Sequence, residues 1–307
     1  MSAPERPATV HDRPGRLSVG VISAGRVGAV LGAALNRAGH RVVAVSGVSA
    51  ASVSRAQRFL PGTPVLPPDQ VVTRADLVLF AVPDDALGPL IAGLTKAAVF
   101  RAGQLVAHTS GAHGVSVLAP AVHCGVLPLV LHPVMTFTGR PEDLNRLAGI
   151  SFGVTAPPQL RPVAEALVVE MGGEPEWIAE EARPLYHAAL AHGANHLTTV
   201  VNEAMDLLRA AGVTHPDRML APLLSAALDN TLRLGDAALT GPVVRGDATT
   251  VASHIDVLTQ QAPESVAAYL ALARRTADRA VASGRLAATR AEALLDVLAS
   301  SQKGTTG

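Results

Sequence analysis

The stretch LSVGVISAGRVGAVLGAAL at 17–35 constrains the fold more than any other part of the chain. The apolar run at 17–22 has the character of a buried strand, and from 26 to 38 the apolar residues recur at helical spacing, with Gly39 as a stop. Only Ser23-Ala24-Gly25-Arg26-Val27-Gly28 lies at the turn between them. This is the G-x-G-x-x-G pattern with serine in its first position. Gly25 in such a turn admits a pyrophosphate close to the backbone, and Gly28 allows helix and strand to pack tightly. The helix start adds unpaired N–H groups and the positive end of its dipole. Residues 23–28 are therefore expected to hold a dinucleotide, with Ser23 as the departure from the pattern.

Short apolar runs and helical patterns go on alternating through the first half. Strands are expected at 41–45, 76–82, 104–108, 126–132 and 150–155, with helices at 52–59 and 85–94. From about residue 181 no strand pattern remains. Helices are expected at 184–211 and 216–234, from an Asp247 N-cap to 261, at 263–283, and from a capping box at Thr289 and Glu292 to 298. The expected fold is an α/β Rossmann-type parallel sheet domain at 16–180, then an all-α domain at 181–300. Residues 1–15, rich in proline and charge, and 301–307 read as tails.

Composition narrows the partners. The 25 basic and 25 acidic residues cancel, only 16% of residues are charged and 49% are hydrophobic. A zero balance disfavours nucleic acid as the main partner, because phosphate binding needs a positive excess. With neither a signal-like segment nor an apolar run of membrane-spanning length, the expectation is a cytoplasmic protein without a membrane partner. Cys124 is the only cysteine, so no internal disulfide forms. His192 and His196 have the spacing of metal ligands, but Gly193 lies between them and no H-E-x-x-H motif is present, so no metal is expected.

The strand ends supply the chemistry. After 41–45 there is no acid to meet a ribose diol; Ser46, Ser49 and Arg55 are there instead, which favours NADP, with NAD as the alternative. Val82 and Pro83 close the next strand beside the expected ribose. His108 and Ser110 end another, His108 as a candidate acid and Ser110 as a hydrogen-bond partner of a substrate oxygen. His132 has a weaker claim of the same kind. On the long helix, His187 and Asn195 fall on one arc at 100° per residue, and His187 is the leading proton donor. Arg245, in the loop TGPVVRGD, suits a substrate carboxylate.

Taken together, VGVISAGRVG (19–28), DLVLFAVPDD (76–85), VAHTSGAHG (106–114), LHPVMTF (131–137), YHAALAHGANHL (186–197) and LTGPVVRGD (239–247) resemble one family. It comprises bacterial Rossmann-like oxidoreductases whose helical C-terminal domain has no assigned function, and the resemblance covers residues 16 to about 290. More distantly the chain is similar to pyrroline-5-carboxylate reductases, ketopantoate reductases and β-hydroxyacid dehydrogenases. The resemblance implies a second domain like that of 6-phosphogluconate dehydrogenase, a homodimer formed through it, and NADPH-dependent reduction of a small 2-oxo acid or imine. Ketopantoate reductases and β-hydroxyacid dehydrogenases use a lysine four residues before the asparagine that Asn195 would match, and Ala191 stands there; the only lysines are Lys96 and Lys303. A histidine or hydroxyl must then donate the proton. Two other readings compete: a catalytically silent nucleotide-binding sensor or scaffold, and an NADPH-dependent reductase of a deazaflavin-type cofactor.

Overall fold

A computed structural model describes residues 15–303. Apart from Gly15, the expected amino-terminal tail lies outside the described residues, as does 304–307 of the other tail. The described chain falls into two compact units, divided between His192 and Gly193.

The first unit is a seven-stranded sheet between two layers of helices. In chain order it contains β1 (Ser18–Ile22), α1 (Arg26–Arg37), β2 (Arg41–Val45), α2 (Ala50–Phe59), α3 (Pro68–Thr73), β3 (Leu77–Phe80), α4 (Asp84–Lys96) and β4 (Leu105–His108). It continues with α5 (Ala119–Val122), β5 (Leu127–Pro133), α6 (Glu142–Arg146), β6 (Ser151–Thr155), α7 (Arg161–Glu170), β7 (Glu174–Trp177) and α8 (Arg183–Leu190). The strand order is β2-β1-β3-β4-β5-β6-β7. All neighbours run parallel except β5 and β6, which pair antiparallel, His132 opposite Gly153. β3 and β4 are buried throughout, as their unbroken apolar runs require. One core, under α1 and α7, is built from Val21, Leu31, Leu79, Leu131 and Phe152; the other, under α3 and α4, from Val71, Phe80, Ile91 and Val106.

β7 is absent from the sequence expectations, because its EPEW carries a proline and two acids. Those are edge-strand residues, tolerated where one face meets solvent. The first unit also runs past the sequence boundary at 180, since Arg183 and Tyr186 of α8 are tied to strand residues.

In the second unit, α9 (His196–Ala210) and α10 (Pro216–Leu234) precede α11 (Pro242–Arg245), α12 (Ala248–Gln261), α13 (Pro263–Ala282) and α14 (Ala288–Lys303). Val251, Leu270, Ala277 and Leu294 centre the core of the last four. Asp247 caps α12 as expected, accepting from the Thr250 N–H at 3.0 Å. Thr289 lies inside α14 rather than capping it, and that helix runs on to Lys303 instead of ending at Leu298. The continuous helix expected at 184–211 is interrupted: Ala191–Asn195 forms a π-helical turn between α8 and α9. This wider turn breaks the 100° register on which the arc from His187 to Asn195 was drawn.

The turn at 23–28 depends on Gly28. A Cβ there would collide with the Ser23 carbonyl oxygen and lie 3.0 Å from Ala81 Cβ. Ser23 has φ +74°, the left-handed region that the first glycine of the pattern serves. Holding serine there costs about 1–2 kcal/mol. Gly28→Ala should therefore destabilise the protein by about 1–3 kcal/mol, whereas Ser23→Gly should not lower stability. Thermal denaturation followed by circular dichroism tests both, and a Gly28→Ala variant of wild-type stability would contradict this packing.

Candidate functional site

The phosphate turn is braced from β2. The Ser23 N–H donates to Ser46 Oγ at 2.9 Å and the Ala24 N–H to the Ser46 carbonyl at 2.7 Å. Ser46 is buried and its hydroxyl oxygen accepts from the turn, so it acts as a brace, with only its O–H proton left for a ligand. The same bonds remove the Ser23 and Ala24 amides from any role toward phosphate. The first turn of α1 remains, where Arg26 and Val27 have no carbonyl four residues back to bond. The position of a Gly25 Cβ is open, with only Ser23 Oγ nearby at 3.4 Å, so a ligand can approach the backbone there.

Ser49 is likewise committed. It caps α2, accepting from the Ser52 N–H at 3.1 Å. What this edge offers a ligand is arginine. The Nε of Arg55 is buried with no hydrogen-bond partner. Gly139 packs against Arg55 and Arg26, each 3.2 Å from where its Cβ would be. The loop carrying Gly139 is fixed by Asp143, which is fully buried and accepts from the Thr138 and Gly139 N–H groups at 2.7 Å each. Val82 and Pro83 follow β3, whose end carries the Ala81 that packs beside Gly28; Pro83 leads into α4.

A second cluster lies past the ends of β4 and β5. His108 is fully buried, and both ring nitrogens are engaged: Nδ1 accepts from the Ser110 N–H at 3.2 Å, and Nε2–H donates to the Gly114 carbonyl at 2.9 Å. That bonding makes it a structural residue and removes it as a proton donor. Ser110 is also buried, its Oγ accepting from the His113 N–H at 3.0 Å. His132 and His187 are half-buried. Their ring centroids are 6.2 Å apart, and a Gly111 Cβ would sit 2.7 Å from His187 Cδ2 and 3.0 Å from His132 Nε2. Any side chain at 111 would push both rings away. His132 Nδ1 is hydrogen-bonded to the Tyr186 hydroxyl at 2.7 Å.

Residues 1–133 match the model of a Rossmann-like domain, and residues 150–276 match DUF2520, a domain of unknown function. The chain joins a Rossmann-like domain to a DUF2520 domain. No curated protein matches it. Among solved structures it is similar to a Bacteroides fragilis protein provisionally named an NADP oxidoreductase, at 22% identity and TM-score 0.74, covering 86% of this chain and 98% of that one. It is also similar to an imine reductase from Pseudomonas sp. (18% identity, TM-score 0.62, 85% and 93% covered). A third is an NADP-bound pyrroline carboxylate reductase from Plasmodium falciparum (12% identity, TM-score 0.55, 87% and 100% covered). These likenesses establish a shared fold.

The DUF2520 match begins at β6, so it takes in the residue that organises the histidine cluster. Arg183 is fully buried. Its Nε donates to Thr155 Oγ1 at 2.9 Å, and its terminal nitrogens donate to the Gly153 carbonyl at 2.8 Å and the Ser110 carbonyl at 3.3 Å. Among the described residues no carboxylate bonds to it directly. The Glu180 carboxylate instead accepts from the Val115 and Ser116 N–H groups at 2.7 and 2.9 Å. Burial, reinforced by the Arg183 charge, pushes His108 and His132 down to about 4. Burial raises the Tyr186 phenol, which Arg183 partly offsets.

Sequence reasoning did not single out Arg183 or Asp143, since charged residues are ordinarily surface residues. Asn195 lies in the π-helical turn and Arg245 ends α11, both in the second unit and both exposed. Among the described residues no group of three His, Cys, Asp or Glu side chains is placed to hold a metal, and no helix is long and apolar enough to cross a membrane.

The depressed histidines link stability to pH. Each is neutral in the fold and ionises near 6.5 when unfolded, so its contribution is complete above about pH 6.5 and is lost as pH falls through 4. For His108 the loss between pH 7 and 4 is on the order of 3 kcal/mol. His132→Gln should flatten the curve of denaturation midpoint against pH over that range. An unchanged slope would show that His132 is not held neutral.

Proposed function

We propose that the chain is an NADP(H)-dependent oxidoreductase acting on a small carbonyl compound or imine. The observation that carries this reading is the turn at 23–28: a left-handed Ser23, a Gly28 that tolerates no side chain, an open approach at Gly25, and unpaired amides at the start of α1. A pyrophosphate suits such a helix start. The unpartnered Arg55 Nε, with Arg26 beside it, suits a 2′-phosphate, and nothing acidic at the end of β2 favours a bare diol.

A bound nicotinamide nucleotide supplies the hydride. The chain's own residues hold it and present the substrate: Arg26 and Val27 through their amides, Arg55 through its guanidinium, and Val82 and Pro83 along the ribose. His187 and His132 line the substrate end. Arg245 has no ion-pair partner among the described residues, which suits it to a substrate carboxylate, and Asn195 is proposed to orient the substrate. Fluorescence titration with NADPH and NADH tests the cofactor reading. Arg55→Gln should weaken NADPH about tenfold or more, the worth of a charge-assisted hydrogen bond, and leave NADH within about twofold. Equal effects on both nucleotides would remove Arg55 from the phosphate site.

We also propose a homodimer through the helical unit. α9 buries no side chain and α10 buries only Pro216 and Leu220. Leu223, Leu228 and Leu232 are 63%, 51% and 78% exposed, and Leu197 and Val200 of α9 are exposed as well. An amphipathic helix gains most of its stability from packing that face, and a second copy supplies matching apolar surface. Light scattering after gel filtration should give twice the 31.4 kDa chain mass, and Leu228→Asp with Leu232→Asp should return it to one chain. A wild-type monomer at micromolar concentration would exclude the dimer.

A further inference from the structure

The cluster at the ends of β4 and β5 distinguishes between the two substrate classes left open above, given the oxidoreductase reading. We propose that its substrate is an anionic carbonyl compound rather than a protonated imine, and that His132 and Tyr186 together deliver the proton its oxygen requires.

Three observations carry this. First, the Tyr186 hydroxyl lies 2.7 Å from His132 Nδ1 and has no other acceptor among the described residues, so the phenol is assigned as donor. With that assignment the imidazole proton sits on Nε2, which has no protein partner among the described residues and lies beside Gly111. His132 thus presents a neutral N–H donor, suited to an oxygen and unsuited to an iminium nitrogen that already carries its proton. Second, Arg183 is a buried cation held by carbonyl and hydroxyl oxygens with no carboxylate bonded to it among the described residues, Glu180 acting on it only through space, and its guanidinium carbon lies 5.6 Å from the Tyr186 ring centroid. In low dielectric such a charge repels a cationic substrate and stabilises a developing oxyanion. Third, the other charged or titratable groups acting on His132 are His187 and Asp84, and Asp84 counts for less than Arg183.

The step balances. The carbonyl carbon accepts the hydride and the π pair moves to oxygen, with oxidation of the bound nicotinamide. The oxygen takes the Nε2 proton while Nδ1 takes the phenolic proton of Tyr186. The tyrosinate is left beside the Arg183 guanidinium and regains its proton from solvent. His132 is the catalytic residue here, and Tyr186 and Arg183 are positioning residues that act through it.

Calorimetry on the full chain with NADP+ bound tests the substrate class, using oxamate as an anionic carbonyl mimic and pyrrolidinium as a cationic ring mimic. Oxamate should bind at least tenfold tighter. ¹⁵N NMR at neutral pH should show His132 as the Nε2–H tautomer, and Tyr186→Phe, which keeps the ring, should mix the tautomers and weaken oxamate several-fold. Arg183→Met should erase the preference between the probes; if that variant does not fold, the Tyr186→Phe comparison still decides. Pyrrolidinium binding as tightly as oxamate, binding of neither, or an Nδ1–H tautomer in the wild type would overturn the inference. Failure of NADP+ itself to bind in the same cell would instead overturn the oxidoreductase reading beneath it.

Discussion

The close approach of the Ser23 carbonyl to the Cα of Gly28 is the contact on which the rest of the structure depends. It lets α1 start directly against β1, with its unpaired amides facing out past the strand ends. It also forces Ser23 into the left-handed region, where a serine persists only because Ser46 holds the amides of Ser23 and Ala24. The cost of one strained residue is offset by the two hydrogen bonds that Ser46 accepts, one on its hydroxyl and one on its carbonyl, and by the packing of Gly28 on Val21 and Ala81. Moving any of these elements would disturb the turn proposed to hold a pyrophosphate.

A second buried element makes the far end of the sheet chemically distinct. Arg183 enters from α8 and satisfies oxygens on β6 and on the loop after β4. It therefore ties the start of the helical segment to the sheet, and the first compact unit extends through His192 for that reason. Burial keeps the neighbouring imidazoles neutral, and the same charge reinforces it. A guanidinium placed for its hydrogen bonds thus also adds to the local electrostatics.

The strand–turn–helix at 18–37, the buried strands and the helical second half were legible in the sequence because each follows from a local rule. Glycine spacing marks the turn, unbroken apolar runs mark β3 and β4, and Asp247 marks the start of α12. The rest depends on contacts distant in the chain. Ser46 and Ser49 look like ribose ligands until their hydroxyls are followed to Ser23 and Ser52. His108 looks like an acid until Gly114 and Ser110 are found to occupy its nitrogens. Tyr186 and His132 lie far apart in sequence, and only the antiparallel turn back into β6, with Gly153 opposite His132, makes room for the phenol between them. A π-helical turn has no sequence period of its own, so the placement of Asn195 could not be read in advance.

The claim that the α1 start holds a pyrophosphate is tested most directly by amide NMR of the full chain during addition of NADPH. The Gly25, Arg26 and Val27 resonances should shift in proportion to bound nucleotide, while those of Ser23 and Ala24, already bonded to Ser46, should move far less. Shifts confined to other parts of the chain, or none at saturating nucleotide, would contradict the account.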